Sequence, residues 1–251
     1  MGDGSNPRIH ARLMRRFLLP KTALLDDVLV ALSELPLPSP TKRRILGGGY
    51  ETHERLLLKQ SLAPGDHVLE LGASLGIVSS LILKMVGPGG RLVAVEANSQ
   101  LAEPFRRQLA ANGLTCVLVN ALCCPIWEDN VPDCVAACSF RTSDNTLAGR
   151  AVGGESTPGG SNWKTASMIC DDLAFVPNVL VCDIEGAESV WLESELRFPE
   201  TIHKLIVELH PWINGPDTAG AILTAVMRAG FDVHAFSGSV FSFRRTLVSN
   251  E

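Results

Sequence analysis

The side chains best suited to chemistry are acids and one histidine that stop a series of apolar runs. Val68-Leu69-Glu70-Leu71 opens into the turn Gly72-Ala73-Ser74-Leu75-Gly76, and Leu92 to Val95 ends in Glu96-Ala97-Asn98. A third run stops at Asn120-Ala121. Val179 to Cys182 is followed by Asp183-Ile184-Glu185-Gly186-Ala187-Glu188, and Leu205 to Val207 by Glu208-Leu209-His210-Pro211. A glycine turn between strand and helix lets backbone approach a ligand, and the helix start offers unpaired N–H groups to it. A carboxylate at the next strand end can accept both hydroxyls of a ribose. Glu70 argues against a dinucleotide, because an anion beside a pyrophosphate is repelled. S-adenosylmethionine carries no phosphate but has a sulfonium and an ammonium, and suits the two acids Glu70 and Glu96.

These runs need a scaffold that brings their ends together. Alternating strand and helix patterns follow from residue 66: strand Val68–Leu71, helix Leu75–Val86, strand Leu92–Val95, helix Ser99–Ala111 and strand Thr115–Val119. After residue 166 come strand Val179–Cys182, helix Ala187–Leu196, strand Leu205–Val207 and helix Asp217–Ala229. Phe231–Phe236 and Val240–Arg244, joined by Ser237-Gly238-Ser239, read as a hairpin. The expected fold is α/β: a doubly wound, seven-stranded, mostly parallel sheet with an antiparallel C-terminal hairpin strand. In such sheets ligands bind outside the C-terminal strand ends, where the acids lie.

Upstream, Leu13, Phe17, Leu24, Val28 and Leu32 have helical spacing, so residues 1–46 are expected to be an N-terminal helical extension, broken at Pro36-Leu-Pro-Ser-Pro40. Gly47-Gly-Gly49 precedes a helix from Glu51 to Ser61. Residues 47–251 would form the cofactor-binding domain. Within it, residues 121–166 interrupt the rhythm and read as an insertion, with Gly149 to Ser161 as a lid.

The order Tyr50-Glu51, Pro64-Gly65-Asp66, Glu70-x-Gly-Ala-x-x-Gly76, Glu96-Ala-Asn98, Asp183-x-Glu-Gly-Ala-Glu188 and Glu208-x-His210-Pro211 resembles the FkbM family of class I, Rossmann-like methyltransferases. The resemblance spans roughly residues 45 to 236. It implies S-adenosylmethionine-dependent O-methylation of a hydroxyl on a carbohydrate or natural-product small molecule. It further implies that Glu70, Gly72, Ala73, Ser74 and Gly76 shape the methionine pocket, and that Glu96 holds the ribose. Ala97, Asn98, Asn120 and Ala121 would flank the adenine, Tyr50 and Glu51 would close over the cofactor, and Asp183 would border both ligands.

A hydroxyl needs activation, since even water has a pKa of about 15.7. His210 is the candidate general base, oriented by Glu208 or Glu185. Alternatively, by similarity to catechol O-methyltransferase, Asp183 and Glu208 at the fourth and fifth strand ends would hold Mg2+, although no metal ligand set is fixed. For Glu188 the simpler reading is a carboxylate favoured by a helix dipole.

Composition narrows the field. The 251 residues are 46% apolar with a formal charge of -5, which supports a full core and argues against general nucleic-acid binding. Arg8, Arg12, Arg15, Arg16 and Lys21 form a local basic stretch. It is a solvated helix face or, in a second reading, the partner site of an RNA or protein methyltransferase. Seven cysteines without a C-x-x-C pair read as reduced thiols of a cytoplasmic protein. Charges interrupt the apolar N-terminal stretch, so neither a signal peptide nor a membrane span is expected. A homodimer is compatible with all of this. Two readings of other classes remain, a nicotinamide-dependent oxidoreductase and a catalytically inert binding subunit. Glu70 in the place of a first glycine speaks against the former.

Overall fold

The computed structural model describes residues 20–128, 138–142, 149–153, 163–193 and 195–246. The basic stretch up to residue 19 and most of the expected lid lie outside them.

The chain enters through a hairpin of β1 (Ala23–Leu25) and β2 (Val28–Val30), not through the expected helix. Asp26 and Asp27 both take positive φ, 49° and 65°, the backbone of a tight hairpin turn whose twist matches its strands. Burial then follows period two. Leu25, Val28 and Val30 are buried while Leu24 and Leu29 face out, so the helical spacing of Leu24, Val28 and Leu32 was coincidental. The Asp26 carboxylate binds Arg55 and Lys59. Backbone groups of Leu29 and Ala31 are met by the Asn112 and Gln108 side chains, so the hairpin is tied to the main body.

Helix α1 (Ser39–Leu46) starts inside the proline run, where Pro40 is tolerated because first-turn N–H groups lack intrahelical partners. Then come α2 (Thr52–Ser61), β3 (His67–Leu71), α3 (Ile77–Val86) and β4 (Arg91–Glu96). A single 3-10 turn leads into α4 (Ala102–Ala110) and β5 (Val117–Asn120). The 121–166 region supplies β6 (Leu122–Cys124), β7 (Cys138–Thr142), β8 (Gly149–Gly153) and β9 (Trp163–Thr165), outside the main sheet. An unexpected α5 (Ala166–Asp172) follows, capped by the Thr165 hydroxyl. After β10 (Val179–Cys182), residues Ala187–Leu192 form a 3-10 turn rather than the expected α-helix. Next are β11 (Lys204–Glu208), the short α6 (Pro211–Asn214), α7 (Pro216–Arg228), β12 (Phe231–Ser237) and β13 (Val240–Arg245).

The main sheet has the order β12-β13-β11-β10-β3-β4-β5. In it β11, β10, β3, β4 and β5 are mutually parallel, and β13 is antiparallel to both its neighbours. This is the class I methyltransferase arrangement expected from the sequence. Strand β10 is apolar throughout and β3 is buried from Val68 to Leu71 with Glu70 as its one charged residue there, as a sheet covered on both faces requires. Val68, Val179 and Val181 pack with α2, α3 and the N-terminal hairpin. Leu69, Leu71, Leu180 and Cys182 pack on the opposite face with Trp191, Ile222 and Val226. The winding direction reverses between β3 and β10, which opens a crevice over their C-terminal ends.

Candidate active site

On one side of this switch point stands the glycine turn. Gly72 has φ of +91°, and a Cβ there would lie 1.7 Å from the Asp183 carbonyl oxygen. A Cβ on Gly76 would meet the Phe105 and Leu109 side chains at 2.8 and 2.9 Å. Both glycines are therefore demanded by packing of β3 against β10 and of α3 against α4, beyond any approach of a ligand. Ser74 also takes positive φ, 47°, and Ala73 is buried.

The Glu96 carboxylate, 8% exposed, accepts the backbone N–H of Ser74 at 2.8 Å on one oxygen and that of Asn98 at 2.7 Å on the other. Burial raises its pKa, and the Asn98 and Ser74 N–H bonds hold the rise in check. The Ala97 N–H adds a third backbone bond, and the carboxylate keeps acceptor capacity for a further donor. Asn120 donates to the carbonyls of Glu96 and Ala97, and the Asn98 side chain caps the following turn through Gln100 N–H. Ala121 is buried beneath them. Glu70 lies deeper than expected, 2% exposed, and accepts the Ser79 hydroxyl at 2.5 Å from the first turn of α3. Burial pushes it up to about 7.

On the other side, β10 and β11 deliver a cluster around His210. The Glu188 carboxylate, fully buried, accepts the backbone N–H of His210 at 3.0 Å and meets its Nδ1 at 2.9 Å, while its other oxygen accepts Gly186 N–H. His210 Nε2 then faces Asp183 Oδ1 at 3.3 Å and Glu185 Oε2 at 3.7 Å. The Asp183 contact is an ion pair without hydrogen-bond alignment, and among the described residues the buried Oδ1 has no hydrogen-bond partner. Burial opposes charge on His210, yet the Asp183 and Glu188 carboxylates outweigh it and push the imidazole up to about 10. A neutral base titrating at its ordinary value is thus not what the fold provides, because the imidazole holds its proton at neutral pH.

Two groups were missed or misread in the sequence. Glu188, taken as a helix-dipole acid, is the residue that orients His210, whereas Glu208 instead accepts the Ser239 hydroxyl at 2.9 Å. Glu54, one turn after Glu51, is 5% exposed and feels the charges of Asp183, Glu51, Glu70 and Glu208. The Glu51/Glu54 spacing at the start of α2 was the available signal. Glu51 sits at left-handed φ of 43° as the residue that begins α2, with its pKa pushed up to about 7 by burial and by Asp183. Tyr50 is 8% exposed and packs in the core beside them.

Residues 52–123 match the family described as protein-L-isoaspartate(D-aspartate) O-methyltransferase. Among curated proteins, a protein-L-isoaspartate O-methyltransferase from Aeropyrum pernix is 37% identical over 84 residues, 34% of this chain and 32% of that protein. One from Methylorubrum extorquens is 34% identical over 101 residues, 39% of this chain and 41% of that protein. The chain thus spans well under half the length of these relatives. Among solved structures, a methyltransferase from Pyrococcus furiosus is 13% identical, covers 96% of this chain and all of its own, and has a TM-score of 0.46. The family match replaces the resemblance to FkbM proteins, and the carbohydrate or natural-product hydroxyl acceptor falls with it. The glycine turn and Glu96 lie inside the matched α2–β6 segment, whereas Asp183 to Glu188, the most distinctive part of that resemblance, lies outside it. The His210 cluster lies outside it.

Proposed function

We propose that the chain is an S-adenosylmethionine-dependent methyltransferase. The observation that supports this most is the Glu96 carboxylate, held at the end of β4 by the backbone amides of Ser74, Ala97 and Asn98 with acceptor capacity left for a ribose hydroxyl. The residues around it fit the cofactor. Glu70 and Glu96 supply negative charge, and Gly72, Ala73, Ser74, Asn98, Asn120 and Ala121 add no cation that a phosphate would call for. Bound there, the cofactor would supply an electrophilic methyl group. Glu96 holds the ribose, and Gly72 to Ser74 with Glu70 beneath them shape the methionine end. Ala97, Asn98, Asn120 and Ala121 border the base, while Tyr50 and Glu51 stand on the N-terminal side.

The acceptor lies over β10 and β11. Asp183 Oδ1, without a hydrogen-bond partner among the described residues, takes the acceptor's N–H or O–H. His210, fixed by Glu188, sets a positive charge against Asp183 and Glu185. The relatives are named for isoaspartate, which presents a free carboxylate. An anionic acceptor would meet Asp183, Glu185 and Glu208 here, so that acceptor is not carried over. Ligand atoms of Asp183, Glu185 and His210 lie within 4.8 Å of one another, close enough for a metal. Magnesium, however, prefers oxygen throughout, and a protonated His210 offers no lone pair, so Mg2+ is given no role.

Titration calorimetry with S-adenosylhomocysteine tests the reading. Saturable binding, displaced by S-adenosylmethionine, is expected. Absence of any binding at millimolar ligand would overturn it.

A further inference from the structure

A second acidic constellation lies beside the first, between the start of α2 and the end of β11. Glu51, Glu54 and Glu208 line a cavity of about 140 Å³, with Arg44 and His53 at its wall. That volume is far above the roughly 10–15 Å³ that one water needs. Glu208 is held by Ser239 and His53 by Ser237. Arg44 is exposed and turned to the Gly49 carbonyl. Glu54 differs from all of these. It is 5% exposed, lines the cavity, and makes no hydrogen bond or ion pair with any described residue.

A buried carboxylate without a partner is costly, and it either keeps a proton or awaits a cation. Burial and the mutual repulsion of Asp183, Glu51, Glu70 and Glu208 raise the pKa of Glu54 well above its ordinary value. An anionic ligand would add to that repulsion. Among the described residues, these three acids do not converge into a group of metal-ligating atoms as Asp183, Glu185 and His210 do. A cation with a body, presenting several N–H donors to separate carboxylates, matches the cavity better than a bare ion.

We infer that this cavity is a binding site for an alkylammonium group, with Glu54 and Glu51 as its principal acceptors. Two molecules could bring such a group, an amine acceptor or the amino-acid end of the cofactor. In either case the inference rests on the methyltransferase reading for its place in the reaction.

The test uses the whole chain at pH 8, where Glu51 is ionised, with Glu54→Gln and Glu51→Gln as separate variants. The first is isosteric and replaces the buried carboxyl by an amide. The second alters a half-buried residue and so keeps the test open if the first fails to fold. S-adenosylhomocysteine and its deaminated analogue are titrated by calorimetry. n-Butylamine is titrated by NMR both without S-adenosylhomocysteine and with it in excess. A loss of about tenfold or more for S-adenosylhomocysteine, as deletion of a charged hydrogen bond gives, with no change for the deaminated analogue, assigns the site to the cofactor. Unchanged S-adenosylhomocysteine affinity, with saturable n-butylamine binding that both variants lose, assigns it to an amine acceptor. If neither ligand responds in either variant, the inference is overturned. A wild-type chain that ignores S-adenosylhomocysteine defeats the methyltransferase reading alone, and the n-butylamine titration still decides the cavity.

Discussion

One oxygen of Glu188 binds both the backbone N–H and the ring Nδ1 of His210, at 3.0 and 2.9 Å, in a site where neither side chain sees solvent. Glu188 therefore fixes the imidazole's orientation and, together with Asp183, its charge. That places this histidine under the control of a residue 22 positions earlier, in the turn after β10.

Glu188→Gln should keep the contact to Nδ1 while removing the charge, so the His210 pKa should fall from about 10 toward its ordinary 6.5. NMR titration of labelled imidazole reads this directly. Glu188→Ala strands a buried imidazolium with a lost partner and should cost about 3–5 kcal/mol in urea denaturation. A His210 pKa unchanged in both variants would remove Glu188 from its orienting role.

The parallel order and the acidic strand ends were legible because both follow from local pattern. Val179–Cys182 is uniformly apolar, Ser237-Gly238-Ser239 marks a hairpin, and Glu96, Asp183 and Glu208 end apolar runs. The roles of these acids were less legible, since they depend on which side chains converge across the crevice. Glu188 reads the same in one dimension whether it caps a turn or binds His210, and Glu54 looks like any polar residue of an amphipathic helix. The N-terminal hairpin was hidden for another reason. Asp26-Asp27 is a turn only when both residues adopt left-handed φ, and nearby Leu spacing imitates a helix. Between β5 and β10 the sequence announces an interruption and says little of what fills it.

Glu96 ties the glycine turn to the loop after β4, so its loss should be felt in both binding and folding. Glu96→Ala strands the N–H groups of Ser74 and Asn98 and is expected to cost about 1–3 kcal/mol of stability. It should also weaken S-adenosylhomocysteine by about tenfold or more. Glu96→Gln retains one acceptor oxygen and should fall between. Calorimetry and urea melts on the same samples separate the two effects. Wild-type affinity in Glu96→Ala would take the ribose away from this residue.

The two glycines of the turn share left-handed φ but differ in what surrounds them. At Gly76 an added methyl meets side-chain ends of Phe105 and Leu109, which can yield, so Gly76→Ala should cost about 1–2 kcal/mol for the backbone and somewhat more for repacking. At Gly72 the same methyl meets the backbone carbonyl of Asp183, which is fixed by the β3–β10 pairing. Gly72→Ala should exceed about 4 kcal/mol or prevent folding. Comparable urea midpoints for the two variants would contradict this account of the switch point.

The site's charges also set the pH dependence of stability, and they act in one direction. Glu51 and Glu70 are raised from an ordinary 4.5 to about 7, so the native state holds protons that the unfolded chain releases. Their contribution is full below about 4.5 and declines as pH climbs to about 7. His210, raised from 6.5 to about 10, contributes fully below 6.5 and loses that contribution between 6.5 and 10. Stability should therefore fall continuously from pH 5 to pH 9, with the carboxylates responsible for the lower part of the window and the histidine for the upper. Asp26, lowered by its bonds to Lys59 and Arg55 against burial, acts the other way, but only as pH drops through the range below about 4. Urea midpoints measured at pH 5, 7 and 9 should decrease in that order. In Glu188→Gln the step between pH 7 and 9 should shrink, because His210 would no longer hold its extra proton. A midpoint that rises from pH 5 to 9 would mean that these carboxylates are ionised and the imidazole neutral in the native state, against the geometry of the cluster.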